Sequence, residues 1–390
     1  MKVATIFGIR PDWIKGCMVL RELDRSKLDH VVIHTGQHYS YELNRIFFDQ
    51  LRIRKPDHFL NVGSGSQGEQ TARIIVSSEK AILKEKPDVA LVLGDSNSSL
   101  AAIAAAKHNV RVARIEAGMR AYDWRMPEET NKRMVDHISS MLFAYTIYQK
   151  ENLLFEGVAP HKVFVTGNPT VDTIHEFRRE AEENRILEKL NIGERDYFLV
   201  TVHRAENVDD KTALANILKG LSLVYKKLGK KIIWPLYPRT KNRIRQHKLR
   251  IPEGIVILPP QGFLEFLKLE IDASCLITDS GTVQEEGCIL QVPCVVVRAT
   301  TERPETVELR ASLVSGVQPK DILRSVELMM SEKASWKHPY GKDVAVKIVR
   351  ILRYYKKRSL LEEIQSEIVD NRRRICISPY LRRGGGIRRF

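Results

Sequence analysis

Nowhere does the 390-residue sequence hold the roughly 18 consecutive apolar residues that a membrane-crossing helix needs, so none is expected. No apolar leader precedes the first strand-like run, and no secretory signal is expected. Cysteine is scarce. The five residues Cys17, Cys275, Cys288, Cys294 and Cys376 are odd in number and form no C-x-x-C pair. That excludes a disulfide framework, and three of the five lie in apolar runs where a reduced, buried thiol is the ordinary state. A reducing cytoplasm fits this usage. No His/Cys/Asp cluster has the spacing of a zinc or iron site, and the lone His38 after Thr35-Gly36-Gln37 does not make one. No metal and no cofactor are therefore expected. A Walker A run is missing, and no G-x-G-x-x-G follows any strand read below, which argues against an NTPase or a dinucleotide enzyme. Basic and aromatic residues do not interleave regularly, so no nucleic-acid partner is expected.

Positive charge is not scarce. The net charge is +15, and the segment 371–390 carries seven arginines and no acid. Gly384-Gly385-Gly386 breaks any helix there. The segment reads as a flexible basic arm, either a solvated tail or a contact for an acidic partner or membrane surface.

Two glycine-containing segments are built to hold phosphate. Phe7-Gly8-Ile9-Arg10-Pro11 follows the apolar run Val3-Ala4-Thr5-Ile6, and Thr278-Asp279-Ser280-Gly281-Thr282 follows Cys275-Leu276-Ile277. A strand that runs through a tight turn into a helix offers free N–H groups and a positive dipole end to an anion. One such device in each half of the chain implies a diphosphate-bearing ligand gripped between two domains.

Short apolar runs recur at 3–7, 30–35, 89–93, 110–115, 141–146 and 162–166, then at 198–202, 232–235, 255–258, 275–278 and 294–297. They are continuous rather than alternating, as parallel strands covered on both faces require. Helical stretches such as 99–107, 212–228 and 282–290 fit between them. The alternation predicts an α/β fold of two doubly wound halves, with the boundary between Val171 and Asp196. The division is 1–175, 190–340, a helical stretch within 341–370 that crosses back to the first domain, and the arm 371–390.

Four titratable groups sit where such folds put chemistry, just past strand ends: Asp95, Glu116, Glu128 and His203. Carboxylates gathered in one cleft can have their proton affinities pushed apart, so that one serves as acid and another as base. Taken singly each has a structural alternative. Asp95 can cap a helix, and Pro127-Glu128-Glu129 is an ordinary first turn.

Several motifs together resemble the non-hydrolysing UDP-N-acetylglucosamine 2-epimerase family. They are Gly8-Ile9-Arg10-Pro11-x-x-Ile14-Lys15, His34-Thr35-Gly36-Gln37-His38, Gly94-Asp95-Ser96-Asn97, Glu116-Ala117-Gly118-Met119-Arg120, Pro127-Glu128-Glu129, Thr166-Gly167-Asn168, His203-Arg204-Ala205-Glu206-Asn207, Asp279-Ser280-Gly281 and Thr301-Glu302-Arg303-Pro304-Glu305, in order from about Lys2 to about Gly316. The resemblance implies two Rossmann-like domains facing a cleft (the GT-B arrangement), with UDP mainly on the second and the sugar between them. It implies that UDP is eliminated across C1–C2 of the sugar and added back to 2-acetamidoglucal, inverting C2 and giving UDP-ManNAc. Asp95, Glu116 and Glu128 then fall on acid/base positions and His203 on the one that contacts the phosphates. Arg10, Lys15, Ser280 and Gly281 face the diphosphate, Glu286 holds the ribose hydroxyls, and Phe263 lies near the uracil or is a core aromatic. A homodimer is implied as well.

Four positions depart from the family pattern: Asp12 for Glu, Lys132 for Arg, Tyr237 for His, and Thr282 for the second glycine after Asp-Ser-Gly. Thr282 and Tyr39-Ser40-Tyr41-Glu42-Leu43 are similar to the branch acting on 6-deoxy sugars, whereas Glu116–Arg120 and Thr300–Pro304 are similar to the N-acetylglucosamine branch. A hydrolysing variant that releases ManNAc and UDP, and a UDP-sugar-binding protein without catalysis, stay open as alternatives.

Overall fold

Strand β1, Lys2–Phe7, is buried along nearly its whole length, as a central parallel strand must be. The computed structural model describes residues 1–36, 48–331 and 334–355. The basic arm and the Tyr39–Leu43 motif lie outside these residues.

Strands β2 (Asp29–His34), β3 (His58–Phe59), β4 (Val89–Leu93), β5 (Arg111–Ile115), β6 (Met141–Ala144) and β7 (Val163–Val165) join β1 in one sheet, ordered β3-β2-β1-β4-β5-β6-β7. Strands β8 (Tyr197–Thr201), β9 (Lys231–Pro235), β10 (Ile255–Leu258), β11 (Cys275–Thr278), β12 (Cys294–Val296) and β13 (Ser312–Val314) form the second, ordered β10-β9-β8-β11-β12-β13. Every pairing is parallel. The chain is thus α/β with two Rossmann-like sheets, each reversing its strand order at its first strand. Crevices for ligands open at such points, outside the carboxyl ends of the strands.

Strands β3 and β13 were not anticipated. At two and three residues they are too short to carry a periodic signal. The 99–107 helix also differs, since a 3₁₀ turn, Asn97–Leu100, precedes an α-helix at Ala101–Lys107.

The last described helix, Val344–Tyr355, packs on the first domain. Val344, Ile348 and Leu352 recur every four residues and are fully buried against the core around Cys17 and Leu20. Each such aliphatic side chain contributes about 1.5–3 kcal/mol. Ala345 donates its N–H to Asp172 Oδ2 at 2.8 Å, and Asn168 N–H bonds Tyr340 O at 3.0 Å. Gly167 has φ +100°, and a Cβ there would meet Tyr340 O at 2.2 Å, so only glycine fits this crossing. The end of the second unit is therefore tied to the first, which sets the two crevices face to face. Among the described residues no helix is long and apolar enough to cross a membrane.

Candidate active site

At the end of β4 the chain turns through Gly94, φ +74°, into Asp95. The neighbouring strand supplies Arg114, fully buried, whose guanidinium bonds the carbonyls of Gly94 and Lys132 and pairs with Asp136 at 3.1 Å. One buried cation thus fixes the Asp95 turn against the helix Pro127–Ile138. That helix begins with Pro at its first position and Glu128 and Glu129 in its first turn, a pattern the helix dipole favours. Its Lys132 lies between three carboxylates: Glu302 at 2.6 Å, Asp95 at 3.4 Å and Glu129 at 3.6 Å.

Glu116, past β5, has φ +68°. A non-glycine residue in that region costs on the order of 1 kcal/mol or more and persists where its surroundings hold it. Here they do: Lys15 Nζ is 2.9 Å from its carboxylate, and Arg303 reaches it from the second domain at 2.7 Å. Arg303 also pairs with Glu285 at 2.7 Å and Glu302 at 2.6 Å. The guanidinium fork accommodates three carboxylates because it carries five donors. It can lie there because residue 281 is glycine: a Cβ would stand 2.6 Å from Arg303 Cζ.

The charges divide the carboxyls. Burial disfavours ionised Asp95, and Glu302 adds to this, but Lys132, Arg204 and Lys15 outweigh both and hold it below its ordinary value. Glu128 moves the other way, raised by burial and by the charge of Asp95. Glu302 is buried too, yet Lys132, Arg303, Arg204 and Arg298 hold it well below the usual range. Two nearby carboxyls with opposite tendencies are what an acid and a base require.

In the second domain Asp279, following β11, accepts the N–H groups of His203 and Arg204 and the amide of Asn207, at 2.9–3.1 Å. It thereby pins the turn after β8. His203 lies edge-on to Tyr237, with centroids 5.6 Å apart. Burial and the nearby Arg204 hold this imidazole below its ordinary value despite Asp279. Ser280 caps the helix Gly281–Leu290, and its hydroxyl accepts from Val283 N–H. Glu286 projects from this helix within electrostatic reach of Lys15 and Arg10.

Asp95, Glu116, Lys15, His203, Ser280, Gly281 and Glu286 thus all border the space between the two sheets. Arg10 reaches the same edge and donates to Gln261 O at 2.6 Å. Phe263 differs: its ring is buried in the core, edge-on to Phe177 at 5.5 Å, and its backbone N–H bonds Gln50 at 3.0 Å. It is a core aromatic whose backbone N–H is taken by Gln50. Sequence reasoning quoted Glu302, Arg303 and Arg204 within motifs but gave them no role. The pairing of Lys132 with Glu302, 170 positions apart, has no local signature.

A G-x-G-x-x-G run does occur, at Gly63-Ser64-Gly65-Ser66-Gln67-Gly68, after the unanticipated β3. It is no dinucleotide fingerprint. It lies at the sheet edge, and Ser66 and Glu69 cap the following helix themselves. Among the described residues no group of three His, Cys, Asp or Glu side chains could hold a metal ion.

Comparison with known proteins agrees with this geometry. The UDP-N-acetylglucosamine 2-epimerase family matches residues 21–353. The chain is 46% identical to the UDP-N-acetylglucosamine 2-epimerase of Methanocaldococcus jannaschii, over 91% of this chain and all of the relative. It is 36% identical to the UDP-2,3-diacetamido-2,3-dideoxy-D-glucuronate 2-epimerase of Pseudomonas aeruginosa, over 85% of this chain and 93% of that one. The crystal structure of the M. jannaschii enzyme in complex with UDP-GlcNAc and UDP superposes with a TM-score of 0.87 at 45% identity, covering 91% of this chain and all of that one. The chain belongs to the UDP-N-acetylglucosamine 2-epimerase family.

Proposed function

We propose that the protein interconverts UDP-GlcNAc and UDP-ManNAc without hydrolysis, by eliminating UDP and adding it back to 2-acetamidoglucal. The observation that carries this reading is the opposed pair Asp95 and Glu128, one held ionised beside Lys132 and the other pushed toward its neutral form. The C2 proton is weakly acidic, so elimination needs a base on the face that loses it, and the return addition needs an acid on the other face to protonate C2. Asp95, Glu116 and Glu128 supply these groups, and His203, beside Arg204, serves the departing diphosphate. Arg10, Lys15 and the N–H group of Gly281 balance the charge that develops there, whereas the Ser280 N–H already donates to Thr278 Oγ1 at 2.9 Å. Glu286 takes the ribose hydroxyls. The identity to the M. jannaschii epimerase favours an N-acetylglucosamine substrate. A second reading, a more heavily modified UDP-2-acetamido sugar, draws on the P. aeruginosa relative. A reducing, cytoplasmic setting suits the buried free thiols Cys17, Cys275, Cys288 and Cys294.

Proton NMR of the protein with UDP-GlcNAc in deuterium oxide tests the proposal. UDP-ManNAc carrying deuterium at C2 is the expected product. Free ManNAc with UDP would move the enzyme to the hydrolysing chemistry. Intact UDP binding without exchange at C2 would direct the search to the modified sugars.

A further inference from the structure

Asn131 has no role in the chemistry above, although it stands between Glu128 and Lys132 on the helix Pro127–Ile138. Its amide nitrogen donates to the main-chain oxygen of Asp95 and to Asn97 Oδ1, both at 3.0 Å. Asn97 opens the 3₁₀ turn that follows Asp95. Its own nitrogen donates to Gln67 Oε1 and Gln70 Oε1, both at 2.8 Å. Gln70 in turn donates to Gly63 O at 2.9 Å. Asn131, Asn97 and Gln70 are all buried.

The two ends of this chain fix the direction of every link. Asp95 O and Gly63 O are main-chain carbonyls, which only accept. The nitrogen of Gln70 therefore faces Gly63, and the nitrogen of Asn131 faces Asp95. That leaves the oxygen of Gln70 to the nitrogen of Asn97, and the oxygen of Asn97 to Asn131. Reversing any one amide would set two acceptors or two donors against each other in a buried place.

The Asp95 turn is thus held from two sides. Arg114 donates to Gly94 O at 3.3 Å, and Asn131 donates to Asp95 O. Asn131 and Lys132 are successive residues of one helix. The first takes the main chain of Asp95, and the second stands 3.4 Å from its carboxylate.

We propose that Asn131 is a positioning residue for Asp95: its amide, kept in one orientation by Asn97 and Gln70, holds the Asp95 peptide and so fixes where the carboxylate stands against the reacting carbon of the sugar. The inference rests on the reading of Asp95 as an acid/base group. An aspartate side chain is short, so the place of its carboxylate follows its main chain closely. Proton transfer requires hydrogen-bond reach, and a misplacement of about 1 Å can cost on the order of 100-fold in rate. On the reading above the nucleotide is held by other residues, so its binding does not depend on this anchor.

Initial rates with UDP-GlcNAc and calorimetric binding of UDP, both on the full chain, test this with Asn131→Leu, Asp95→Asn, the double variant and Ser139→Ala. Asn131→Leu removes the amide and nearly keeps its shape. Its kcat should fall about 10-fold to 100-fold, while KM and the Kd for UDP stay within about threefold. Ser139 donates to Val135 O at 2.6 Å at the end of the same helix. Ser139→Ala therefore loosens the helix without touching Asp95, and its kcat should match the parent. In the double variant the losses should not multiply. Once the Asp95 carboxylate is gone, Asn131→Leu should lower kcat by no more than about twofold further.

A parent-like kcat for Asn131→Leu overturns the proposal, as does a Ser139→Ala variant equally slow. If Asp95→Asn is slow and the losses multiply, the acid/base reading of Asp95 stands and only the role of Asn131 falls. If Asp95→Asn turns over near the parent rate, that reading itself fails. Should Asn131→Leu not fold, Asn131→Ala, which leaves room for water at the two oxygens, takes its place in the same comparisons.

Discussion

Lys132 and Glu302 meet across the two domains, Nζ to Oε1 at 2.6 Å, with side chains 1% and 0% exposed. A pair this deeply buried gives little net stability over apolar packing but is costly to break. Its position matters more than its strength. The same ammonium is 3.4 Å from Asp95, so the contact that joins the domains also sets the charge of a candidate base. Lys132→Met should lower unfolding stability by about 3 kcal/mol in a urea titration. It should also move the acid limb of kcat/KM upward, because Asp95 loses its main cation. A pH profile that stays in place would separate Lys132 from Asp95.

Asp95 and Glu128 are coupled, and each should report the other. Asp95→Asn should reduce turnover by about 100-fold to 10,000-fold while UDP binding stays within tenfold, because the lost group acts on a proton and not on the nucleotide. It should also lower the proton affinity of Glu128, which the Asp95 charge helps to raise. Carboxyl carbon NMR of Glu128 in the parent and in the variant measures that shift. Near-normal turnover by Asp95→Asn would remove it from the acid/base set.

The strand-turn-helix devices were legible because their signal is local. An apolar run, a small residue and a helix start lie within ten positions at 3–12 and again at 275–284. Asp95, Glu116 and His203 were legible for the same reason, each following a buried strand. The ion-pair lattice was not. Arg303 finds Glu116 only after two sheets, built from residues 187 positions apart in sequence, have been set face to face. Phe263 shows the other limit. An aromatic directly after a glycine suits a site beside a base and a core position equally, and only the neighbouring Phe177 decides.

Gly281 is glycine for the sake of Arg303. Helix propensity alone favours alanine there by about 1 kcal/mol. The added Cβ of Gly281→Ala, however, would lie 2.6 Å from the guanidinium carbon and force it off Glu116 and Glu285. The variant should lose about 3 kcal/mol or more in a urea titration, because Glu116 and Glu285 keep their buried charge without their cation. It should lose about tenfold or more in kcat/KM, since Glu116, one of the proposed acid/base carboxylates, loses the cation that holds it. Parent-like kinetics would mean that Arg303 is free to move without consequence.

Asp12 gives a prediction of opposite sign to most carboxylates. It is 3% exposed and accepts the N–H groups of Gly8 and Ile9, both at 3.1 Å, which shapes the first phosphate turn. Burial raises it to about 7, with a contribution from Glu116, against those two N–H groups and Lys15. In the unfolded chain it ionises near 3.9. Between these values the folded state holds a proton that the unfolded state has released. Stability therefore falls as pH rises through this window and is level again above it. Asparagine keeps an accepting oxygen and has no proton to lose. From pH 5 to pH 8 the parent should lose roughly 2–3 kcal/mol relative to Asp12→Asn, read from urea midpoints at each pH. A constant difference across that range would mean that Asp12 is ionised in the folded protein and that the first phosphate turn is held by a charge.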